Sequence, residues 1–355
     1  MKEIISRHDY RELFGELRQV RNLRLLRKNK IHSNIKRKSG RKRLEELVKK
    51  LWKGGYVYLE SGDYLYVPSV VESSHPFRLF DPYVPEQIIS KFCNLGSIVM
   101  DIGANMGEWS LHMAKMVGGN GRVFSFEPIP SMVQALEKTV AINNFSQVSI
   151  SECAVSNKTG HAQFSIPFNK DNQAIPGWSQ LVPEEEFTAP KSMDNLWDKV
   201  ATTKTSEVQT TTLDRFTSEK NITKLDFIKV DVEGHEKYVI EGGQKTLETL
   251  KPAMILEAAS EETADREIIA EQLRKLNYKL VGITLQDGII EASWSQYINM
   301  KDPFDPTYPE NVLFLPKRTM DWKKGKRTCE TRTETTSTRN EVKAPPKPKG
   351  STTSK

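Results

Sequence analysis

Cysteine is scarce in this sequence, and long apolar runs are lacking. Cys93, Cys153 and Cys329 are the three cysteines among 355 residues, and they stand far apart in no paired spacing. This pattern argues against a disulfide framework and against a zinc site, and it fits a reducing compartment. No stretch approaches the roughly 18 apolar residues needed to cross a bilayer, and the N-terminus lacks the basic start and apolar run of a secretory signal. We therefore expect a cytoplasmic protein without a transmembrane segment.

Charge is distributed unevenly along the chain. The formal net charge of +6 combines a basic segment over 1–50, with a net charge of +11, and a basic segment over 317–355, with a net charge of +8. The intervening residues 51–316 carry a net charge of −13. An acidic body therefore lies between two basic arms, and a ligand of the body need not share the polarity of a partner of the arms.

The two arms differ in their residue patterns. Over 1–55, apolar residues such as Leu13 and Leu17 recur at spacings of three and four, which predicts a basic helical extension. This extension either packs on the body or contacts nucleic acid or an anionic surface, although no aromatic interleaving or known nucleic-acid module supports the latter. Residues 317–355 are rich in Thr, Ser, Lys, Arg and Pro, which predicts a disordered tail. Residues 56–316 form the remaining domain.

Short apolar runs alternate with helical patterns from about residue 95. This alternation predicts an α/β fold with a doubly wound, mostly parallel sheet of Rossmann-like type, whose ligands bind beyond the carboxyl ends of the strands. Ser131 and Gln134 are expected to form a capping box at the start of one helix. Residues 157–212 interrupt the alternation with polar sequence, as lids and substrate loops do. Seven strands are predicted, at 97–102, 122–126, 148–153, 225–230, 252–256, 278–281 and 312–315.

A glycine-containing turn follows the first of these strands, with the sequence Asp-Ile-Gly-Ala-Asn-Met-Gly at 101–107. Gly103 and Gly107 permit a tight turn and a close approach of the backbone to a ligand, and the following helix start offers N–H groups. The spacing is not G-x-G-x-x-G, which counts against a nicotinamide dinucleotide site. Asp101 suits a cationic ligand, such as the amino acid part of S-adenosylmethionine, better than it suits a pyrophosphate.

Glu127 ends the next predicted strand, 26 residues after Asp101. An acidic side chain at this place can accept hydrogen bonds from both hydroxyls of a ribose, as in dinucleotide-binding folds. A solvated loop carboxylate is the alternative. In combination with the glycine turn, Glu127 indicates a ligand that contains a nucleoside.

A second acidic sequence, Lys-Val-Asp-Val-Glu-Gly-His-Glu, covers 229–236. Asp231 ends the fourth predicted strand, and Glu233 and His235 follow on a turn. Asp231 with His235 could deprotonate or orient a hydroxyl, which methyl transfer to oxygen requires. With Glu257 after the fifth strand, these groups could instead gather Mg²⁺, or Glu233 could cap the next helix while His235 packs locally. We take Asp231, Glu233 and His235 as the catalytic candidates and predict no metal ligand.

These sequences, in this order, resemble the FkbM-type S-adenosylmethionine-dependent methyltransferases. The resemblance extends over about 80–257. One such match would be weak, but five in the right order are specific. The motifs are VMDIGANMGEWSL (99–111), FSFEPIP (124–130), ECAVSNKTG (152–160), TTLDRF (211–216) and IKVDVEGHE (228–236).

The resemblance implies a class I methyltransferase fold and S-adenosyl-L-methionine as the cofactor. It implies that the glycine turn lines the methionine end of the cofactor, that Glu127 holds its ribose and that Ala154 lies near its adenine. It also implies that Asp231 and Glu233 form an acidic active-site turn, and that Trp178-Ser179 belongs to a loop directed towards the pocket. The implied cofactor-binding residues are Asp101, Gly103, Ala104, Asn105, Gly107, Glu127, Pro128 and Ala154.

Family members methylate hydroxyls on sugars, lipids or polyketide-like products, which favours O-methylation of a small molecule, sugar, glycan or lipid here. An RNA 2′-O-methyltransferase that uses the basic arms is the first alternative. Such enzymes pair the fourth-strand aspartate with a lysine after the fifth strand, where this chain has Glu257. A non-catalytic scaffold is the second alternative, and Asp101, Glu127 and Asp231 count against it. A divalent metal stays open but is not predicted.

Overall fold

A computed structural model of the chain describes residues 53–59, 61–69, 71–72, 86–181, 200–257, 263–285, 288–299 and 311–317. The helical extension expected over 1–55 and the disordered tail expected over 317–355 lie almost wholly outside these residues, so both stay predictions, as do the domain boundaries. Cys93 and Cys153 are free thiols, and Cys329 lies outside the described part. None of the described helices is long and apolar enough to cross a membrane.

The described residues form fourteen strands and eight helices. The strands are β1 (Gly55–Tyr58), β2 (Tyr64–Val67), β3 (Ile98–Ile102), β4 (Arg122–Phe126), β5 (Val148–Ser151), β6 (Ala154–Val155), β7 (Gly160–Asn169), β8 (Gln180–Leu181), β9 (Val200–Thr211), β10 (Phe227–Val230), β11 (Ala253–Glu257), β12 (Tyr278–Leu285), β13 (Gly288–Glu291) and β14 (Asn311–Pro316). The helices are α1 (Glu86–Ile89), α2 (Glu108–Val117), α3 (Pro130–Ile142), α4 (Leu213–Glu219), α5 (Glu236–Glu241), α6 (Gln244–Leu250), α7 (Thr263–Lys275) and α8 (Trp294–Ile298).

The main sheet has the strand order β13-β12-β14-β11-β10-β3-β4-β5. The strands from β11 to β5 are parallel, and β14 is antiparallel to both β11 and β12. The chain moves outward from β3 through β4 to β5, and then returns to place β10 on the other side of β3. This reversal puts a topological switch point between β3 and β10, where doubly wound folds bind their ligands.

All seven predicted strands lie in this sheet, but the prediction of seven strands is wrong by one. Strand β12 continues beyond Val281 to Leu285, and β13 pairs with it antiparallel, from Gly282↔Glu291 to Leu285↔Gly288. The short run Ile289–Glu291 is too brief to form a predictable strand by itself.

A second sheet, of order β6-β9-β7-β8, occupies most of the segment expected to be a loop. Strands β7 and β9 pair antiparallel from Gly160↔Thr210 to Asn169↔Val200. Most side chains of β9 are exposed, which explains why its polar sequence is typical of a loop. An apolar cluster of Ile129, Met132, Ala154, Phe164, Leu181 and Val208 attaches this sheet to the start of α3. Residues 182–199, within the segment 157–212, lie outside the described part.

The core follows from burial of the parallel strands on both faces. All four side chains of β10 are buried, as are the first four of β11 and the last four of β3, which is typical of a parallel sheet covered on both sides. One of the β10 side chains is charged: Lys229, with 2% of its surface exposed. A lysine this deep in a core requires negatively charged partners.

Candidate active site

The glycine turn between β3 and α2 is shaped by two close contacts. Gly103 has φ +77°, and a Cβ atom there would lie 1.8 Å from the backbone oxygen of Asp231. Gly107 has φ +98°, and a Cβ atom there would lie 2.4 Å from Cδ1 of Leu136. A side chain at either position would overlap a neighbouring group and would disfavour the left-handed backbone. The turn therefore packs directly against the turn that follows β10.

Every backbone N–H group from Gly103 to Gly107 donates within the chain. Those of Gly103 and Ala104 donate to the carbonyl oxygen of Phe126, at 3.0 and 2.9 Å, and that of Gly107 donates to Ala104 at 2.9 Å. The N–H of Asn105 donates to Oε2 of Glu127 at 2.8 Å, and Oδ1 of Asn105 accepts from Met106 at 2.8 Å. These bonds fix the shape of the turn.

Asp101 lies beneath the turn, with 0% of its surface exposed. Its Oδ2 accepts a 2.6 Å hydrogen bond from Ser110, whose hydroxyl also lies 2.7 Å from that of Ser125. Its Oδ1 lies 3.3 Å from Nζ of Lys229. Asp101 is thus engaged by the chain's own groups, which makes it a support for the turn.

Lys229 joins the glycine turn to the acidic turn after β10. Its Nζ lies 3.3 Å from Asp231 Oδ2 and donates to the carbonyl oxygen of Gly103 at 2.6 Å. Burial alone would lower the pKa of Lys229, but Asp231 and Asp101 raise it above its ordinary value. The lysine therefore stays protonated and pairs with one aspartate from each turn.

Glu127 lies at the carboxyl end of β4 and is 5% exposed. Besides the bond from Asn105, its Oε1 accepts from the N–H of Ile129 at 2.9 Å. Burial raises the pKa of Glu127 to about 7, although the two N–H donors oppose this. Each carboxylate oxygen keeps a lone pair for a further donor, so the group can still accept hydrogen bonds from a ribose. Pro128, next to it, is half-buried.

Asp231, Glu233 and Glu257 bring their carboxylates together at the ends of β10 and β11. Each offers an oxygen within 4.8 Å of the others, and all three residues are partly exposed. Asp231 and Glu233 lie on one turn, which has positive φ at Glu233 (+54°) and Gly234 (+94°). The side chain of Glu236 stabilises this turn by accepting a hydrogen bond from the N–H of Val232 at 2.9 Å. Burial, followed by Asp231 and Glu233, raises the pKa of Glu257 well above its usual range.

His235 is directed to a different neighbour. Its Nε2 lies 2.9 Å from the hydroxyl of Ser156, directly after β6, and its ring lies 4.5 Å from that of Tyr238. Burial and then Lys237 lower the pKa of His235 to about 4. The imidazole is therefore neutral at pH 7. Its predicted catalytic role stays a prediction, whereas its observed bond ties α5 to the second sheet.

Ala154 lies in β6, where it pairs with Thr210 and belongs to the apolar cluster that includes Ile129. The structure thus connects the predicted cofactor residues in a continuous path from the glycine turn through Glu127 and Ile129 to Ala154. Trp178 and Ser179 lie at a short helical turn before β8, and Ser179 is buried.

Two buried charged residues of the candidate site are not predicted by the sequence pattern. Lys229 stands within the apolar run Phe227–Val230, and a charged residue at the centre of a buried strand was the available signal. Glu236 is 1% exposed, yet its sequence position suggests an exposed residue in the first turn of a helix. Nothing in the sequence marks Glu236 as buried.

The main sheet is parallel from β11 to β5 and has its switch point at the glycine turn. An acid follows β4, and the antiparallel β14 lies beside β11. These features are those of the class I methyltransferase fold. The chain belongs to the FkbM methyltransferases: the family described as "Methyltransferase FkbM domain" matches residues 101–280, half of the chain. The resemblance seen in the sequence motifs is confirmed.

Curated relatives are similar to this chain over part of their length. "Methyltransferase 1" of Beauveria bassiana is 27% identical over 150 residues, 41% of this chain and 58% of that protein. "2-O-methyltransferase NoeI" of Sinorhizobium fredii is 27% identical over 164 residues, 46% of this chain and 64% of that protein. The chain thus spans less than two thirds of either relative. The crystal structure of methyltransferase FkbM from Methylobacillus flagellatus is 16% identical, with a TM-score of 0.38, and covers 62% of this chain and 44% of that chain.

Proposed function

We propose that this protein is an S-adenosylmethionine-dependent O-methyltransferase that acts on a hydroxyl of a small molecule, sugar, glycan or lipid. One observation carries the proposal: the glycine turn touches both proposed halves of the site. Asn105 donates to Glu127 on the cofactor side, and Gly103 packs against the backbone of Asp231 on the acceptor side. A methyl donor held by the first half would lie beside the carboxylates of the second.

The residues present fit S-adenosylmethionine. The turn over 103–107 has no side chain at its two glycines, and Glu127 supplies an acceptor for ribose hydroxyls. The cofactor supplies an already activated methyl group, so the chain has to position the acceptor and remove its proton. Asp101 and Lys229 hold the turn in place, and Pro128 and Ala154 extend the proposed site towards the adenine.

On the acceptor side, Asp231 and Glu233 are proposed to orient the hydroxyl and receive its proton. The side chain of Asp231 is 33% exposed and lies at the carboxyl end of β10, where this class of fold places its chemistry. NoeI is named a 2-O-methyltransferase, which supports an oxygen acceptor. The neutral His235, held by Ser156, is proposed to position the acidic turn.

The unpaired Cys93 and Cys153 support the proposed cytoplasmic location.

Calorimetric titration with S-adenosylmethionine and with S-adenosylhomocysteine tests the cofactor assignment. We expect the wild-type chain to bind both, and Glu127→Gln to weaken binding about tenfold or more, because a charge-assisted hydrogen bond contributes roughly 1.5–3 kcal/mol. Glu152→Gln is the matched control, since Glu152 is exposed after β5. No binding of either compound by the folded wild-type chain would refute the proposed function.

The acceptor is tested by incubating glycan, lipid and RNA extracts with cofactor labelled in its methyl group. We expect label in a glycan or lipid fraction, its loss with Asp231→Asn, and nearly unchanged cofactor affinity in that variant. A large loss of cofactor affinity would reassign Asp231 to the cofactor site. Label confined to RNA would replace the proposed acceptor by the RNA alternative.

A further inference from the structure

A row of buried polar side chains crosses three neighbouring parallel strands beneath the glycine turn. Lys229 of β10 is in register with Asp101 of β3, which is in register with Ser125 of β4. The hydroxyl of Ser110, on α2, donates to Asp101 Oδ2 at 2.6 Å and lies 2.7 Å from the hydroxyl of Ser125. Each of these four residues is at most 2% exposed, so Asp101 is fixed from the side of β4 and α2.

The ammonium group of Lys229 is fixed at the end of this row by several acceptors. Its Nζ lies 3.3 Å from Asp101 Oδ1 and 3.3 Å from Asp231 Oδ2. It donates to the carbonyl oxygen of Gly103 at 2.6 Å and lies 3.5 Å from that of Ile102. An ammonium group has three N–H donors, and these acceptors satisfy all of them. The side chain therefore joins Asp231 to the glycine turn at a defined distance.

Asp231 lies among other acidic side chains. The charged groups that face it include Lys229 of β10, Asp101 of β3, Glu233 of the same turn, Glu236 of α5 and Glu257 of β11. Glu257 forms a hydrogen bond with Asp231, and a bond between two carboxyl groups requires a proton on one of them. The like charges disfavour ionisation of Asp231, whereas the ammonium group of Lys229 favours it. The position of the shared proton therefore depends on Lys229.

We propose that Lys229 is a positioning residue of the reaction: it keeps the proton of this pair on Glu257 and holds the ionised Asp231 beside the glycine turn. The direct contact of its ammonium group with Asp231 supports this position of the proton. The environment of Glu257 supports it as well, because burial, followed by Asp231 and Glu233, raises the pKa of Glu257 well above its usual range.

The position of this proton decides what Asp231 can do in the proposed function. During methyl transfer the acceptor oxygen bonds to the methyl carbon, the bond from that carbon to sulfur breaks, and the sulfur keeps the electron pair. The hydroxyl proton passes to Asp231, which can receive it only as an ionised carboxylate. Lys229 thus acts on the reaction through Asp231. This catalytic role rests on the proposed function, whereas the position of the proton does not.

The position of the proton is tested by nuclear magnetic resonance of the full chain, with ¹³C in the side-chain carboxyl group of aspartate. The signal of Asp231 is assigned by its absence from Asp231→Asn. We expect its titration midpoint to lie about one pH unit or more higher in Lys229→Met/Asp101→Asn than in the wild type, because the opposite charge is gone. The double variant removes the buried aspartate charge together with its partner, and thermal denaturation verifies that it folds.

Two further variants separate the charge of Lys229 from the support that the row gives. Asp101→Asn keeps the ion pair between Lys229 and Asp231, so we expect no rise of the midpoint. Lys224→Met is the matched control, since Lys224 pairs with Asp226 at the surface, and it should leave the midpoint unchanged. Equal midpoints in the wild type and the folded double variant would overturn the proposal. A rise in Asp101→Asn as large as that in the double variant would overturn it too.

The wild type alone provides a second measurement, which does not depend on the folding of any Lys229 variant. Glutamate is labelled with ¹³C in its side-chain carboxyl group, and the signal of Glu257 is assigned by its absence from Glu257→Gln. We expect Glu257 to be protonated at neutral pH. An ionised Glu257 in the wild type would overturn the proposal.

The catalytic role is tested by transfer of the labelled methyl group to the glycan and lipid extracts over a range of pH. We expect the double variant to lose about tenfold or more of its turnover at neutral pH, and to regain part of it as rising pH ionises Asp231. The same fractional loss at every pH, or a loss equal to that in S-adenosylmethionine affinity, would overturn this role. If the wild type binds no S-adenosylmethionine while both resonance experiments give the expected results, the proposed function fails and the position of the proton stands.

Discussion

Lys229 connects the two halves of the site through ion pairs with the buried Asp101 and the partly exposed Asp231. Its replacement by methionine keeps the length and apolar stem of the side chain but leaves Asp101 without its counter-charge. We expect Lys229→Met to lower the free energy of unfolding by about 3 kcal/mol, because removal of one partner of a buried ion pair leaves the other charge uncompensated. Denaturant titration measures the loss.

The control for this prediction is Lys224→Met, since Lys224 pairs with Asp226 at the surface, with 61% of its side chain exposed. An exposed pair contributes roughly 0–1 kcal/mol. The double variant Lys229→Met/Asp101→Asn should recover part of the lost stability, because the buried charge is removed together with its partner. Equal stability of Lys229→Met and wild type would show that the ammonium does not hold the two aspartates.

Glu127 makes stability depend on pH in a direction opposite to that of most carboxylates. Its pKa is raised from 4.5 to about 7 on folding, so between these values the native state holds a proton that the unfolded state has lost. The contribution is therefore present at low pH and lost as pH rises through about 7. We expect the wild type to lose up to roughly 3 kcal/mol more stability than Glu127→Gln between pH 5 and pH 8.

The variant is needed because Glu236, whose pKa burial also raises to about 7, titrates over the same range. Denaturant titrations of both proteins across this range give the difference that belongs to Glu127. Parallel stability curves would show that Glu127 is ionised in the folded protein at pH 5.

At the level of single residues, sequence reasoning located Glu127, Asp231 and Glu257 because each follows an apolar strand, and parallel strands end at one edge of the sheet. The strand pattern predicts neither the ion-pair partners of Lys229 nor the burial of Glu236. Those depend on which neighbours pack around each side chain, which strand pattern alone does not determine.

Among the structural elements, the connection from β3 to α2 has the least tolerance for change. A Cβ atom at residue 103 would lie 1.8 Å from the carbonyl oxygen of Asp231, and the left-handed backbone adds strain of about 1–2 kcal/mol. We expect Gly103→Ala to lower the midpoint of thermal unfolding and to abolish cofactor binding, because the two turns must move apart. Gly119→Ala is the control, with no atom within 4 Å of its Cβ position. Unchanged unfolding would mean that the turn is not held against Asp231.

The elements most accurately predicted were the buried parallel strands, since a short apolar run bounded by polar residues has few other interpretations. The start of α3 was less accurate. The helix begins at Pro130, with Ile129 as its N-cap and no side-chain cap, so the capping box expected at Ser131 and Gln134 is wrong. Proline at the first helical position, with its fixed φ, sets the start of the helix two residues earlier than this capping box would.

For the whole molecule, sequence reasoning gave the main sheet and missed the second one. The polar sequence of β9 reflects a strand whose residues 201–207 are all exposed, and its partner β7 lies about forty residues earlier in the chain. A pairing over that distance has no local signal comparable to a two-residue hairpin turn. The sequence of this segment therefore predicts a loop, although its buried residues Phe164 and Val208 pack in the apolar cluster with Ile129.

The second sheet is expected to influence cofactor binding through its apolar cluster. Phe164 packs in the cluster that contains Ile129, and the N–H of Ile129 donates to Glu127. We expect Phe164→Ala to cost about 3 kcal/mol of stability and also to weaken S-adenosylmethionine binding in the folded protein, because Ile129 would lose the packing that fixes its backbone.

Phe314→Ala is the matched control, since Phe314 is fully buried in β14, on the far side of β11 from the glycine turn. It should cost similar stability and leave the cofactor dissociation constant unchanged. Calorimetry at a temperature where both variants are folded separates the two effects. Equal affinities for the cofactor in both variants would show that the second sheet contributes to stability alone, whereas a loss confined to Phe164→Ala would establish it as the outer wall of the ribose site.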